Sequence, residues 1–491
     1  SQGWESVGIG KNFHNGDASQ FDQYIGVNKR VRQVKGSGSR WRGPRRWAFA
    51  AVPKTEMPDY LAVSHGINAI KATQKPLFLS LGIYLPHVPW VAPKAYFDKF
   101  PMTDITLPEH RADDLDDLPE RLKLLARSEA CFGPGFHDMR VKSGDNKGFV
   151  RAYLACVNFA DEQLGRVLDV WDASSHAKGG YIVLWSDHGY MLGEKEGWSK
   201  MKPWYDSGRC NLIMTGPGIT PETVCQRAVS LQDVYPTLID LLKLPLPPQT
   251  IDGNSLLPLL RNPDAAWDKP VVMSGEEDGI RYDSVLSNDY RMTRLVTGES
   301  ELYALRDDPH EFTNLAQNPT YAAVMERLSA HLTFRYPEIP QDGWMEAEAI
   351  PCQTSGDHKL RKNCHFPQSL PAASGGRVIC ADLHGGTGSY IDFVLDVKDP
   401  GSYSLGATLS AAGACTVLVD DVRDVAAQAD SEYPMKQAGQ FEFVGQELKS
   451  LSFGSVVFAK PGLKLIRFVS NLPKQRLWID RLQLKRGGHG R

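Results

Sequence analysis

The sequence predicts an α/β layered sheet followed by an all-β sandwich. Up to residue 340, short apolar runs alternate with amphipathic helical periodicity. Buried strands between amphipathic helices are the pattern of a sheet with helices on both faces. From residue 345 the apolar residues alternate with period two between Gly and Pro turns, the pattern of a sandwich. A third observation bears on function. Three of the apolar runs lead directly into polar clusters, and α/β sheets bind ligands at the carboxyl ends of their strands.

The elements follow in order. Val7-Gly8-Ile9 is a short strand leading to Lys11 and His14. Residues 77–84 (LFLSLGIY) form a buried-strand run leading to Pro86-His87. Phe149, Tyr153, Cys156, Ala160, Leu164, Val167 and Trp171 recur at three- and four-residue steps, which predicts a helix through Asp172. Residues 181–185 (YIVLW) form another buried strand, ending in Ser186-Asp187-His188-Gly189, and Asn211-Leu212-Ile213-Met214 is a fourth. The three polar clusters are therefore candidates for one shared site. The Pro-rich stretch 336–340, followed by Gly343-Trp344, reads as a linker. Beyond it, Ile391, Phe393, Leu395 and Val397 point one way, with Asp392 and Asp396 the other; Tyr403, Leu405, Ala407 and Leu409 repeat this after Asp399-Pro400-Gly401. Residues 345–488 are enough for one sandwich domain.

Composition bounds the function. A chain of 491 residues implies two or three domains. Its 42% hydrophobic and 23% charged content excludes a mostly disordered chain. A net charge of -3 gives no reason to expect nucleic acid as a partner. No apolar run approaches the roughly 18 residues of a membrane span. The chain opens on Ser1 with no Met and no signal peptide, so localisation is not legible from its start. Eight cysteines are too few for a disulfide scaffold; Cys352, Cys364, Cys380 and Cys415 could pair in an exported protein or stay buried thiols.

Asp187 and His188, adjacent at a strand end, can both face one cation, and a carboxylate oxygen suits calcium or magnesium. Lys200 follows twelve residues after His188, and a cation beside a metal suggests an anionic substrate. Each residue also has a plain reading: Asp187 as a helix cap, His188 in the core, His87 in a rigid turn, Lys11, His14 and Lys200 solvated. Their joint appearance at strand ends favours the site.

Gly8-Ile9-Gly10-Lys11-x-x-His14, Pro86-His87-x-Pro89 and Ser186-Asp187-His188-Gly189 through Trp198-x-Lys200 resemble, in order, the motifs of the formylglycine-dependent sulfatases, with the iduronate-sulfatase-like branch the nearest in pattern. Residues 153–169 (YLACVNFADEQLGRVLD), Asp233-Val234-Tyr235-Pro236-Thr237, Asp252-Gly253-Asn254-Ser255-Leu256, Glu301-Leu302-Tyr303 and Asp308-Pro309-His310-Glu311 agree. The resemblance implies an alkaline-phosphatase/sulfatase-like fold over residues 1–340, with a small subdomain from about residue 270. It makes Asp187 a calcium ligand and places His188 at the metal-bound sulfate. Lys11 and His14 would hold the formylglycine hydrate, Lys11 stabilising charge and His14 acting as base. His87 and Lys200 would grip sulfate and assist the leaving alkoxide. Two departures stand out. Leu85 occupies a position often held by Lys, and no Cys or Ser has the nucleophile's Cys-x-Pro-x-Arg context. Cys131-Phe132-Gly133-Pro134 lacks the Arg, and Asp113-Asp114 with Asp116-Asp117 reads as a solvated loop. The expectation is a catalytic domain missing its N-terminal part, inactive as written for lack of the nucleophile, in an exported protein.

The final domain opens Met345-Glu346-Ala347-Glu348 and nearly closes on Leu477-Trp478-Ile479-Asp480. It resembles β-sandwich carbohydrate-binding modules, in which Glu346, Glu348 and Asp480 would share a second, structural calcium. Trp478 or Tyr390 could stack on sugar or belong to the core. A sulfated carbohydrate is the expected partner. The rivals are a phosphatase or phosphonate hydrolase of the same superfamily and a non-catalytic glycan binder with a degenerate sulfatase domain. The sequence carries no signal for oligomeric state.

Overall fold

The computed structural model describes residues 3–13, 18–27, 31, 47–128, 136–277, 279–340, 342–354, 363–369, 377–383, 389–411, 413–421, 436–443, 448–472 and 475–487. The first strands are β1 (Glu5–Gly10), β2 (Gln23–Ile25), β3 (Trp47–Phe49), β4 (Leu77–Gly82) and β5 (Trp90–Ala92). β1 lies between β2 and β4, parallel to both, and β3 pairs with β5 in parallel. β6 (Ile182–Trp185) and β7 (Leu212–Thr215) form an antiparallel pair.

Two helices cover this region. The helix Pro58–Ala72 starts on a proline, whose fixed φ suits a first helical position. Ala62 packs on Val7 and Ile9 of β1. Val63 and Ile70 pack with Val167 of the 27-residue helix Asn146–Asp172. Phe149, Ala152, Cys156 and Phe159 of that helix join Trp90, Phe97 and Trp198 in a second cluster. The strands themselves are less covered than their continuous apolar runs imply. Phe78, Trp185 and Ile213 are 47%, 47% and 56% exposed. Helices pack on the Leu77, Leu79 and Leu81 side of β4, and no ladder joins β4 to β6 among the described residues.

A four-stranded antiparallel sheet follows, in the order β11-β10-β9-β8: β8 (Val271–Glu277), β9 (Ile280–Leu286), β10 (Tyr290–Leu295) and β11 (Ser300–Ala304). The helix Ala322–Ser329 packs on it through Leu328.

The sandwich comprises β12 (Trp344–Glu346), β13 (Cys352–Thr354), β14 (Asn363–Ser369), β15 (Arg377–Leu383), β16 (Tyr390–Val397), β17 (Gly401–Ala411), β18 (Gly413–Asp421), β19 (Lys436–Phe443), β20 (Lys449–Phe458), β21 (Gly462–Ser470) and β22 (Gln475–Arg486). One sheet runs β14-β15-β22-β17-β20 with β12 also on β22; the other runs β13-β16-β21-β18-β19. Ile391, Phe393, Leu395, Tyr403, Leu405, Ala407 and Leu409 fill the space between, in the expected alternation.

The opposite face of β16 is not solvated. Asp392 is fully buried and accepts two hydrogen bonds from Arg467, at 2.7 and 2.9 Å. Val394 and Leu465 on this sheet share a cluster with Val285, Met292 and Leu328. The antiparallel subdomain covers the face that alternation alone would assign to water. The Pro-rich stretch is also tied down: Tyr336 donates to the Val296 carbonyl at 2.8 Å, and Ile339 packs on the sandwich core. Cys156, Cys210, Cys225, Cys352, Cys380 and Cys415 are free thiols. Among the described residues no helix is long and apolar enough to cross a membrane.

Candidate functional site

The end of β1 meets the end of β4 through two glycines. A Cβ on Gly10 would come within 2.2 Å of the Gly82 carbonyl oxygen, and one on Gly82 would meet the Lys11 backbone as closely. Gly10 also has φ +75°, which glycine adopts without steric cost. This contact lets the Lys11 N–H reach the Gly82 carbonyl at 3.2 Å and sets the Lys11 ammonium 5.5 Å from the centre of the Tyr84 ring. Asn12 fastens the turn, donating to the Ile9 carbonyl and accepting from Ser80 Oγ. His14 lies outside the described residues.

Beyond β4 the chain turns sharply into His87. The His87 N–H donates to the Tyr84 carbonyl at 3.0 Å. His87 Nδ1 lies 2.6 Å from the Val88 carbonyl and 2.9 Å from Tyr84 Oη. A carbonyl only accepts, so Nδ1 carries the proton and Nε2 keeps its lone pair. The Trp90 indole holds the turn from below, donating to the Pro86 carbonyl at 2.6 Å. Burial first, then the charges of Lys11, Lys200 and His188, push the His87 pKa down to about 4.

At the end of β6, the Ser186 N–H donates to the Asn211 carbonyl at 3.3 Å. Asp187 follows with its side chain 74% exposed, 3.5 Å from His188 Nε2. His188 Nδ1 faces the Gly189 carbonyl at 2.6 Å. A side chain on Gly189 would strike the Asp206 and Arg209 carbonyls, so this turn requires glycine. Burial lowers the His188 pKa and Asp187 works against it, while Lys200 and Lys11 lower it further. Cys210 lies near enough for Asp187 to act on it; burial, with Asp187 adding, raises its pKa and keeps it a thiol, a poor nucleophile.

Lys200 sits between two buried lysines. Lys195 Nζ pairs with Asp114 Oδ1 at 2.5 Å and also donates to the Glu311 carbonyl. Lys202 donates to the Leu125 carbonyl at 2.7 Å and to Ser128, and lies 3.4 Å from Glu277. Lys195, Glu196 and Met201 all have positive φ, 49°, 57° and 66°, a backbone state that persists only where surrounding contacts enforce it. Asp114 is thus no solvated loop residue. It is 5% exposed, because the buried ammonium of Lys195 needs a counter-charge.

The charges of Lys11 and Lys200 thus act on both His87 and His188, at the ends of β4 and β6, and Asp187 acts on His188. The arrangement can receive a small anion: two ammonium groups and two neutral imidazoles. For a metal, Asp187 offers the hard oxygen that calcium takes. The described residues contain no group of three or more His, Cys, Asp or Glu side chains placed to hold an ion, so they supply part of a donor set. Cys131 lies outside the described residues. Glu346 and Asp480 belong to the sandwich, not to this site. Glu346 pairs across the ladder with Arg481, and Asp480 is the extra residue where the β17–β22 register shifts. Such a bulge can re-aim a side chain. Glu348 follows in the short helix Ala347–Ala349. Trp478 and Tyr390 are both half-buried and lie beside Arg476 and Arg467.

Sequence reasoning missed Asp59, Tyr84, Lys195 and Lys202. The two lysines carry no clear signal in the sequence, since Lys195 and Lys202 lie in a loop that also carries Glu194, Glu196, Ser199 and Lys200. Several stretches that supported the resemblance are structural. Glu301 and Glu311 hold the buried Arg291. Asp233 caps its helix with Ser230 and accepts from the Asn254 N–H at 2.7 Å.

The fold is that of a layered α/β protein with Lys11, His87, Asp187 and His188 following the ends of β1, β4 and β6. The sulfatase family profile matches residues 2–244, and the C-terminal profile of N-sulphoglucosamine sulphohydrolase matches residues 193–336. A sulfatase of Formosa agariphila is 33% identical over 353 residues, 67% of each chain. The chain belongs to the sulfatase family. Iduronate 2-sulfatase of Mus musculus is 28% identical over 239 residues, 41% of this chain and 42% of the mouse protein, so the chain spans well under two thirds of that relative. Among solved structures, the phosphonate monoester hydrolase of Agrobacterium radiobacter superposes with a TM-score of 0.56 at 19% identity, covering 69% of this chain and 81% of that one. The α/β region thus has the alkaline-phosphatase/sulfatase-like fold.

Proposed function

We propose that this protein hydrolyses sulfate esters of a sulfated carbohydrate and belongs near the iduronate-sulfatase-like branch. What supports the reading is that the Lys11 and Lys200 charges act on both His87 and His188, with Tyr84 lying against Lys11 on one side and His87 on the other. Lys11 and Lys200 neutralise the charge of a bound sulfate. His87 presents the lone pair of Nε2; burial and the nearby ammonium charges hold the ring neutral, and a bound anion offsets those charges and favours the protonated imidazole, which can pass its proton to the leaving alkoxide. His14 completes the set as the base beside Lys11. Asp187 and His188 would hold calcium, which when bound would polarise the sulfate oxygens. None of the eight cysteines has the nucleophile's motif, and the reading places formylglycine on a segment outside these residues, so that the chain as written does not turn over. The sandwich is read as a glycan-binding module with calcium near Glu346, Glu348 and Asp480, and the protein as exported.

The shared fold of a phosphonate monoester hydrolase gives the rival reading its standing. The test is to express the whole native reading frame with formylglycine maturation. An aryl sulfate, sulfated oligosaccharides and a phosphonate monoester are then assayed with calcium and with chelator. Calcium-dependent release of sulfate from the oligosaccharides is the expected result. Phosphonate cleavage without sulfate release would overturn the reading in favour of the rival. Glycan binding with no hydrolysis of any ester would favour the non-catalytic one.

A further inference from the structure

Asp59 lies in the first turn of the helix Pro58–Ala72, away from every sequence motif of the site. It is 3% exposed. Its two carboxylate oxygens accept from two successive backbone amides: Oδ1 from Tyr84 at 2.7 Å and Oδ2 from Leu85 at 3.0 Å. These are the residues that begin the turn into His87. Tyr84 in turn lies against both neighbours in the site. Its ring is 4.7 Å from the His87 ring, its hydroxyl is 2.9 Å from His87 Nδ1, and the Lys11 ammonium sits 5.5 Å from its ring centre. The hydroxyl also donates to the Val88 carbonyl at 3.3 Å, the same carbonyl that receives the Nδ1 proton.

We propose that Asp59 and Tyr84 are positioning residues of the anion site: the Asp59 carboxylate fixes the backbone of the turn, and Tyr84 transmits that placement to His87 and Lys11. The argument is one of mutual constraint. An isolated Tyr or His ring rotates freely about two torsions. Here the Tyr84 backbone is pinned by a buried carboxylate, and its hydroxyl and the His87 Nδ1 share one carbonyl. The imidazole is thereby locked with Nδ1 turned away and Nε2 left for substrate. Asp59 itself is too deeply buried to touch substrate. A buried carboxylate left without amide partners would be costly, so its retention beneath the turn favours one backbone conformation there.

This inference rests on the anion-site reading, and the experiment separates the two. Asp59→Asn keeps the shape but turns an amide N–H₂ toward a backbone N–H. Tyr84→Phe keeps the ring and removes the hydroxyl, and it tests the inference even where Asp59→Asn does not fold. In ¹⁵N NMR of the protein, wild-type His87 is expected in the single Nδ1–H tautomer, with a mixture of tautomers in either variant. Inorganic sulfate, titrated by calorimetry, is expected to bind at least tenfold more weakly to Asp59→Asn and severalfold more weakly to Tyr84→Phe. If wild type does not bind sulfate, the functional reading fails while the tautomer measurement still decides this one. Variants that lose melting temperature but keep the His87 tautomer would show that Asp59 and Tyr84 serve the fold alone, and would overturn the proposal.

Discussion

Replacing Lys202 with Met should destabilise the loop that carries Lys200 by about 3 kcal/mol, near the lower end of the 3–5 kcal/mol seen when one partner of a buried pair is removed. Lys202 is fully buried. Its ammonium serves the Leu125 carbonyl, the Ser128 carbonyl and hydroxyl, and the Glu277 carboxylate 3.4 Å away. Methionine matches the length of the stem but donates nothing. Glu277, on β8, then loses its buried cation, and two carbonyls lose a charged donor at ~1–3 kcal/mol for each unsatisfied group. These losses overlap, because one side chain makes them all, and local relaxation returns part. At ~2–4 °C per kcal/mol for a unit of this size, the first thermal transition should fall by about 6–12 °C. Calorimetry at neutral pH measures it. Adding Glu277→Gln in the same chain should recover about half of the loss, since the buried carboxylate that faced Lys202 is then neutral. A single variant within about 0.5 kcal/mol of the parent, or a double variant no better than the single, would refute the view that this lysine clamps the loop through its charge.

Lys200→Ala in the matured protein should lower sulfate-ester turnover at least tenfold, roughly 1.4 kcal/mol of transition-state stabilisation, with unchanged melting temperature; unchanged turnover would remove Lys200 from the site. Between about pH 4 and 6 the contributions of two groups to stability oppose each other. His87, held near 4 against an ordinary 6.5, makes the folded state resist protonation, so its contribution falls as pH drops from 6.5 toward 4. Asp59, pushed up to about 6 from 3.8 by burial, makes the folded state bind a proton, so its contribution falls as pH rises from 3.8 toward 6. Melting curves of His87→Gln across this range should show stability decreasing with rising pH, and no change in slope would contradict the assignment. Calcium should raise the melting temperature of the sandwich, by about 2.7 kcal/mol of stability at a hundredfold excess over its dissociation constant, and Asp480→Asn should abolish the shift. A shift that survives in Asp480→Asn would move the ion elsewhere.

The elements were legible where one physical signal dominated. The helical repeat from Phe149 to Trp171 and the period-two run from Ile391 to Val397 both fold as their spacing requires, because the residues that recur at that spacing share a face packed into a core. Lys11, His87, Asp187 and His188 stood out in the sequence because α/β sheets bind ligands at their strand ends, and Lys200 stood out through its motif. What the sequence hid depends on partners distant along the chain. Asp114 looked solvated because its counter-ion, Lys195, is 81 residues away. Asp392 looked outward because nothing in its own strand reveals that the antiparallel subdomain covers it. Asp59 carried no signal, since its partners are backbone amides, which have no sequence identity at all.

The shared cluster of Val394 and Leu465 with Val285 and Met292 has a consequence for how such a protein could be assembled or dismantled over evolutionary time. A module hung on a polar tether can be gained or lost by a single recombination event. This sandwich cannot leave so cheaply. Its departure would strand an apolar scar on each fragment, inviting self-association, and a replacement module would have to arrive with a matching greasy face. The seam therefore acts as a ratchet: once both surfaces had become apolar, catalytic region and sandwich were committed to descend together.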